Sequence, residues 1–157
     1  MPDPVVADAS IFIKAPADKT FALALGFDAP AIVRPQGLLP GVRSVAGTIG
    51  AWSKAGQQRT LTLTDGSSVE ETLIEVGPAS YRYRVANFSG PFKFLVKEAN
   101  AAFAVEPRQN GSTLIWTYEF APTSALAAPI VSLIASSFWT GWMDAALERL
   151  KDALELQ

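Results

Sequence analysis

Arg59 and Glu71 are the two residues of this chain whose types and spacing could do chemistry together. They flank Asp65-Gly66, a strong hairpin signal, and the residues on either side of it alternate as strands with one apolar face do. A two-residue turn would set Leu63 opposite Ser68 and Leu61 opposite Glu70. A three-residue loop ending at Ser67 sets Leu63 opposite Val69 and Arg59 opposite Leu73, matching apolar with apolar. That register predicts Arg59 diagonal to Glu71, on the face that carries Leu61, Leu63, Val69 and Leu73. Partly desolvated there, a guanidinium polarises a carbonyl while a carboxylate moves a proton. The competing reading of the pair is a buried salt bridge without a reaction, or one that orients a ligand's polar head-group. Glu70 competes with Glu71 for the inward position, because a one-residue slip turns every side chain over.

What the composition lacks narrows the chemistry further. The sequence has no His, which removes a Ser-His-Asp triad together with the commonest neutral-pH acid/base and the commonest metal ligand. It has no Cys either, which removes disulfides, thiolate nucleophiles and zinc–sulfur sites and suits a cytoplasmic protein. Neither a metal nor an organic cofactor is expected. A net charge of −2 with no run of Lys or Arg argues against nucleic acid as a partner, since phosphate contacts need a basic footprint. Met1-Pro2-Asp3-Pro4 is not the start of a signal peptide. At 157 residues and 49% hydrophobic content, the chain reads as one domain over 1–157, large enough for a core with a cavity beside it.

The frame that must position the pair is legible in the periodicity. Val5–Ile13 alternates as a strand, and Pro16 with Asp18 opens a short helix from about Pro16 to Leu25. Pro30, Pro35, Gly37 and Pro40 leave room for one helical turn around Ala31–Arg34. Strands are then expected at Val42–Thr48, Gln58–Thr64, Val69–Val76, Tyr81–Asn87, Lys93–Val105 and Ser112–Phe120. From Ser124 to Gln157 the chain reads as one long helix with Pro129 near its start. Its first half, Ile130 to Phe138, is apolar on most sides and predicts cover nearly all round. In its second half Trp139, Met143, Ala146, Leu147, Leu150 and Leu154 form one stripe, opposite Asp144, Glu148, Lys151, Asp152 and Glu155. Phe120 to Met143 holds no charge and is long enough for a bilayer. Its Pro122, Pro129 and Gly141, and the charged half that follows, favour a buried helix and no stable membrane insertion. An antiparallel sheet with one apolar face needs a cover, and this helix supplies it.

In this order the elements resemble the START-like superfamily, the helix-grip proteins. Several stretches are similar to its polyketide cyclase/dehydrase branch: Ile13-Lys14-Ala15-Pro16-Ala17-Asp18-Lys19, Arg59-Thr60-Leu61-Thr62-Leu63, Val69-Glu70-Glu71-Thr72-Leu73, Tyr81-Arg82-Tyr83 and Gly111-Ser112-Thr113-Leu114-Ile115-Trp116. The resemblance implies an α+β fold, a seven-stranded antiparallel sheet gripping the long helix around an apolar cavity. Leu61, Leu73, Tyr83, Trp116 and Tyr118 on the strands, and Phe138, Gly141 and Trp142 on the helix, are the expected lining. For the aromatics the alternative is an ordinary core, and for Gly141 close backbone packing. Phe88 and Phe92 flank a Gly-Pro turn that either closes the cavity mouth or simply connects two strands. The leading expectation is binding or transport of a hydrophobic, lipid-like or polycyclic small molecule. One alternative is a cofactor-free cyclase, dehydratase or isomerase using Arg59 and Glu71. The other is an interaction protein that docks a partner through its apolar helix.

Overall fold

Seven alternating segments become seven strands whose order in the chain is nearly their order in space. The computed structural model describes residues 2–47 and 52–156. In it β1 (Val5–Ile13), β2 (Val42–Ala46), β3 (Gln58–Leu63), β4 (Ser68–Val76), β5 (Ser80–Ala86), β6 (Val96–Arg108) and β7 (Gly111–Pro122) form one antiparallel sheet. The sheet order is β1-β7-β6-β5-β4-β3-β2, so every strand from β2 to β7 neighbours the next one in sequence. β1 instead pairs with β7, Val5 opposite Phe120 and Ile13 opposite Ser112. A Cβ on Gly111 would collide with the Ile13 carbonyl, so glycine is what lets this end of the pair close. Helices α1 (Ala17–Gly26) and α2 (Ala29–Ile32) carry the chain from β1 across to the opposite edge. This is the expected helix-grip fold. Thr48, the expected end of the second strand, and Gln157, that of the last helix, lie outside the described residues, as do Gly50 and Ala51 in the loop between.

Three local expectations need correction. The hairpin loop does hold three residues, but they are 64–66: the Leu63 N–H bonds the Ser67 carbonyl at 2.8 Å and the Gly66 N–H bonds that of Leu63 at 3.0 Å. Gly66 takes a φ of +89°, the left-handed conformation that closes such loops. The register therefore moves by two residues, Leu61 facing Val69 and Arg59 directly facing Glu71. An even shift leaves each side chain on its face, so Glu71 points inward and Glu70 outward, where Asn87 bonds it. The strand expected from Lys93 begins only at Val96, because Pro91 starts a short 3₁₀ turn, Pro91–Phe94.

The terminal helix is the third. It runs as α3 (Ala128–Ile134), a π-helical turn (Ala135–Trp139) and α4 (Thr140–Glu155). The hydroxyls of Ser136 and Thr140 bond back to the carbonyls of Ser132 and Ser136 at 3.0 and 3.3 Å, competing locally with the helical ladder. Cover all round is also absent from the first half. Val131 and Ala135 are buried, but Ile130 is 48% and Leu133 60% exposed, because α3 packs on one side only, against β1 and β7. The α4 stripe agrees with its periodicity: Met143, Ala146, Leu147 and Leu150 are buried while Asp144, Glu148 and Asp152 face water. Polar bonds fix its far end to the β1–α1 junction. Lys151 Nζ donates to the Phe12 carbonyl at 3.0 Å, and the Glu155 carboxylate accepts the Lys14 N–H at 2.8 Å.

The split between the two halves of this helix sets a contrast in stability. Leu150→Ala should cost about 2–5 kcal/mol, whereas Leu133→Ser should change stability by about 0.5 kcal/mol or less. Removing residues 142–157 should abolish cooperative unfolding altogether. Equilibrium urea denaturation checks all three, and equal effects of the two point substitutions would contradict the assigned packing.

Candidate ligand cavity

The concave face of the sheet is filled with rings at one end and hollow at the other. Cross-strand pairs on β5 and β6 show why: Tyr81 faces Phe103 near one end, but Val85 faces Ala99 four residues along. At the first position Tyr81 and Phe103 lie 5.4 Å apart and Trp116 stacks on Phe103 at 4.7 Å. At the second, small side chains leave a cavity of about 320 Å³. Leu61, Val69, Glu71, Val85, Ala99, Tyr118 and Phe120 line it from the sheet, and Ile134, Phe138, Trp139 and Trp142 from the helix. A π turn holds one more residue than an α turn, so the sequence neighbours Phe138 and Trp139 both reach the cavity. Leu38, Asp65, Ser67 and Ser68 lie toward its more exposed side.

Six of the lining residues expected from sequence are in this wall: Leu61, Phe88, Phe92, Tyr118, Phe138 and Trp142. Four are elsewhere. Leu73 is fully buried, and Tyr83 and Trp116 belong to the ring-filled end, where aromatic packing takes up the space. Gly141 lies off the cavity, where a Cβ would come within 3.1 Å of Gln36 Nε2. Val69, Val85, Ala99, Phe120 and Trp139 were missed as lining. The signal for the strand members was present, since Val85 and Phe120 share the inward parity of Tyr83 and Tyr118. The 87–92 loop settles as a wall: Phe88 and Phe92 meet edge to face at 5.2 Å, and Phe92 stacks on Trp139 at 5.6 Å. Its partner is the start of β4, through Ser89 N–H to the Ser68 carbonyl at 3.0 Å and Ser68 N–H to Ser89 Oγ at 2.7 Å.

Of the pair singled out for chemistry, only Glu71 reaches the cavity. Arg59 sits behind it, Nε and Nη2 each 2.8 Å from Glu71 Oε1, with its guanidinium carbon 4.2 Å from the centre of the Trp52 ring. Neither guanidinium bond goes to Oε2, which has no hydrogen-bond partner among the described residues. Burial raises the Glu71 carboxyl above its ordinary 4.5, against the opposing charge and hydrogen bonds of Arg59. A second polar line ends at the same cavity. Trp116 Nε1–H donates to the Tyr83 hydroxyl at 3.0 Å, and the Tyr83 hydroxyl donates to that of Tyr118 at 3.3 Å. Burial, and then the neighbouring Tyr83 and Glu71, push the Tyr118 phenol well above its ordinary value and keep it protonated. Trp142 Nε1–H donates to the Pro40 carbonyl at 3.1 Å, while the indole N–H groups of Trp52 and Trp139 are buried without partners among the described residues. Among the described residues no group of three acidic side chains could hold a metal ion.

Comparison with known proteins agrees with this fold. The profile of the family described as polyketide cyclase/dehydrase and lipid transport matches residues 4–155. Among solved structures, ginseng major latex-like protein 151 from Panax ginseng is similar at 11% identity and a TM-score of 0.72, covering 97% of this chain and 98% of its own. Norcoclaurine synthase from Thalictrum flavum, solved with dopamine and hydroxybenzaldehyde, is similar at 14% identity and 0.71, covering 98% and 88%. A Chromobacterium violaceum protein is similar at 16% and 0.66, covering 99% of both chains. At these identities the likeness shows the fold. No curated protein matches the sequence.

The buried pair gives a pH-dependent prediction. Because the folded Glu71 carboxyl binds its proton more tightly than the unfolded one, its contribution to stability is greatest below 4.5 and falls as pH rises through the raised value. Arg59→Met removes both effects that hold that value down, so it should destabilise the protein more at pH 8 than at pH 5. Adding Glu71→Gln should abolish the difference between the two pH values. Thermal unfolding at each pH checks this; a pH-independent loss in Arg59→Met would show that the arginine acts through packing alone.

Proposed function

The chain belongs to the polyketide cyclase/dehydrase and lipid transport family, and from that premise we propose that it binds and carries one hydrophobic small molecule between sheet and C-terminal helix. The cavity carries this reading. Protein interiors leave few voids larger than a water molecule, while this one measures about 320 Å³, within the span of small-molecule sites. At about 24 cal/mol per Å³, a core void of that size would cost on the order of 8 kcal/mol, comparable to a small domain's whole stability. Its walls are predominantly Leu, Val, Phe and Trp side chains with few polar groups, the composition that takes up an apolar ligand.

A second reading rests on Glu71, a buried carboxylate in the cavity wall with one oxygen that takes no bond from its arginine partner. Such a group is placed to take a proton from a bound ligand, which makes cyclase, dehydratase or isomerase chemistry the enzymatic alternative. Arg59, screened from the cavity by Glu71, would then tune the base rather than touch the ligand.

Two variants separate the readings. An environment-sensitive apolar dye should bind the native protein at one saturable site and quench tryptophan emission. Ala99→Phe, which places a ring in the hollow end, should remove that site while leaving the fold intact; dye binding that never saturates, or that survives Ala99→Phe, would contradict the carrier reading. Glu71→Gln should change affinity by at most about 1–3 kcal/mol if the group only orients a ligand. If it is a general base, turnover of the ligand recovered with the protein should fall by about 10²–10⁴.

A further inference from the structure

The cavity wall has an asymmetry that bears on what it accepts. Its only buried charged group is the Glu71 carboxylate, and the cation that balances it lies on the far side, between Oε1 and the Trp52 ring. Asp65, at the more exposed side, is engaged by the N–H and hydroxyl of Ser67 at 2.9 and 2.6 Å. No lysine or arginine lines the cavity. Its buried hydroxyl is that of Tyr118, which accepts from Tyr83 and whose own proton has no acceptor among the described residues. Every link in that line points the same way, from the Trp116 indole through Tyr83 to Tyr118, so each bond polarises the next and strengthens the terminal donor. Trp139 Nε1–H, a donor without a partner among the described residues, is enclosed by protein atoms.

We propose that this cavity selects neutral apolar molecules carrying a hydroxyl, which accepts from Tyr118 and donates to Glu71 Oε2. The proposal rests on the cavity being a binding site, and it assigns two specificity-determining residues within it. A hydrocarbon of equal shape would leave both polar groups desolvated and unpaired, a loss comparable to a missing hydrogen bond. A carboxylate ligand would set a second negative charge near Glu71 in a weakly screening environment, with its compensating cation behind the first. A hydroxyl supplies both a lone pair and a proton, one for each partner. It is also small enough to leave the remaining wall, Leu61, Val69, Val85 and Phe120, in contact with carbon.

Three probes of one ring system test this: naphthalene, 2-naphthol and 2-naphthoate, titrated by isothermal calorimetry at pH 7.5. 2-Naphthol should bind about tenfold more tightly than naphthalene, and 2-naphthoate at least about tenfold more weakly than 2-naphthol. Tyr118→Phe should reduce 2-naphthol to the affinity of naphthalene without changing naphthalene itself, and Glu71→Gln should relieve the rejection of 2-naphthoate. If Tyr118→Phe folds poorly, Tyr83→Phe serves instead: it removes the donor to Tyr118, leaves the cavity wall unchanged, and should reduce the 2-naphthol preference by about threefold. Equal binding of naphthalene and 2-naphthol by the native protein overturns the proposal and leaves the cavity a binding site. If none of the three binds saturably, the selection and the binding site both fall.

Discussion

A single helix is too narrow for the sheet it must cover. Seven strands spaced at about 4.8 Å make an apolar face about 29 Å across, while a helix with its side chains measures about 10–12 Å. The sheet must therefore curl around the helix, and the remaining interior must be filled by other means or left empty. At one end it is filled: Tyr81, Tyr83, Phe103 and Trp116 stack into a block, α1 closes over it, and the Tyr81 hydroxyl donates to the Ala24 carbonyl at 2.6 Å. At the other end the inward residues shrink to Val69, Val85 and Ala99, and the 87–92 loop and the π turn form walls around the space instead of filling it.

The buried ion pair follows from the same geometry. A carboxylate on the concave face has lost most of its water, and it is tolerable only with a cation at hydrogen-bond distance. Direct pairing across β3 and β4 supplies that cation from the facing residue. Trp52 covers the guanidinium and holds it off the cavity, so negative charge meets the interior and positive charge meets an aromatic ring. This order decides what kind of chemistry Glu71 could support and what charge a ligand can bring beside it.

Much of this was legible from the sequence. Period-two alternation located the strands, and period-3.6 spacing located the stripe Met143, Ala146, Leu147 and Leu150, because each follows from which side chains must leave water. Glu71 was identifiable as inward because strand parity survives a register shift of two residues. The Arg59–Glu71 alignment was not, since loop placement depends on which residue adopts the left-handed conformation, and hydrophobic matching alone favoured the wrong pair. Telling lining from core was also beyond the sequence: Tyr83 and Tyr118 look alike in the pattern and face the same Ala101, and only their ring neighbours separate them, Tyr83 stacking on Phe103 while Tyr118 meets Trp139, Trp142 and the cavity. The π turn left only weak marks, Ser136, Ser137 and Thr140, and the exposure of Ile130 and Leu133 left none.

The central claim is that the hollow end of the grip is real, apolar space. Xenon enters such cavities without needing a polar partner, so diffraction from a crystal held under xenon pressure tests the claim directly. The account predicts xenon density among Leu61, Val85, Ala99, Tyr118 and Trp142, with the side chains of the ring-filled end unmoved. A crystal showing no xenon there, with Phe88, Phe92 or Trp139 turned inward to fill the space, would contradict it.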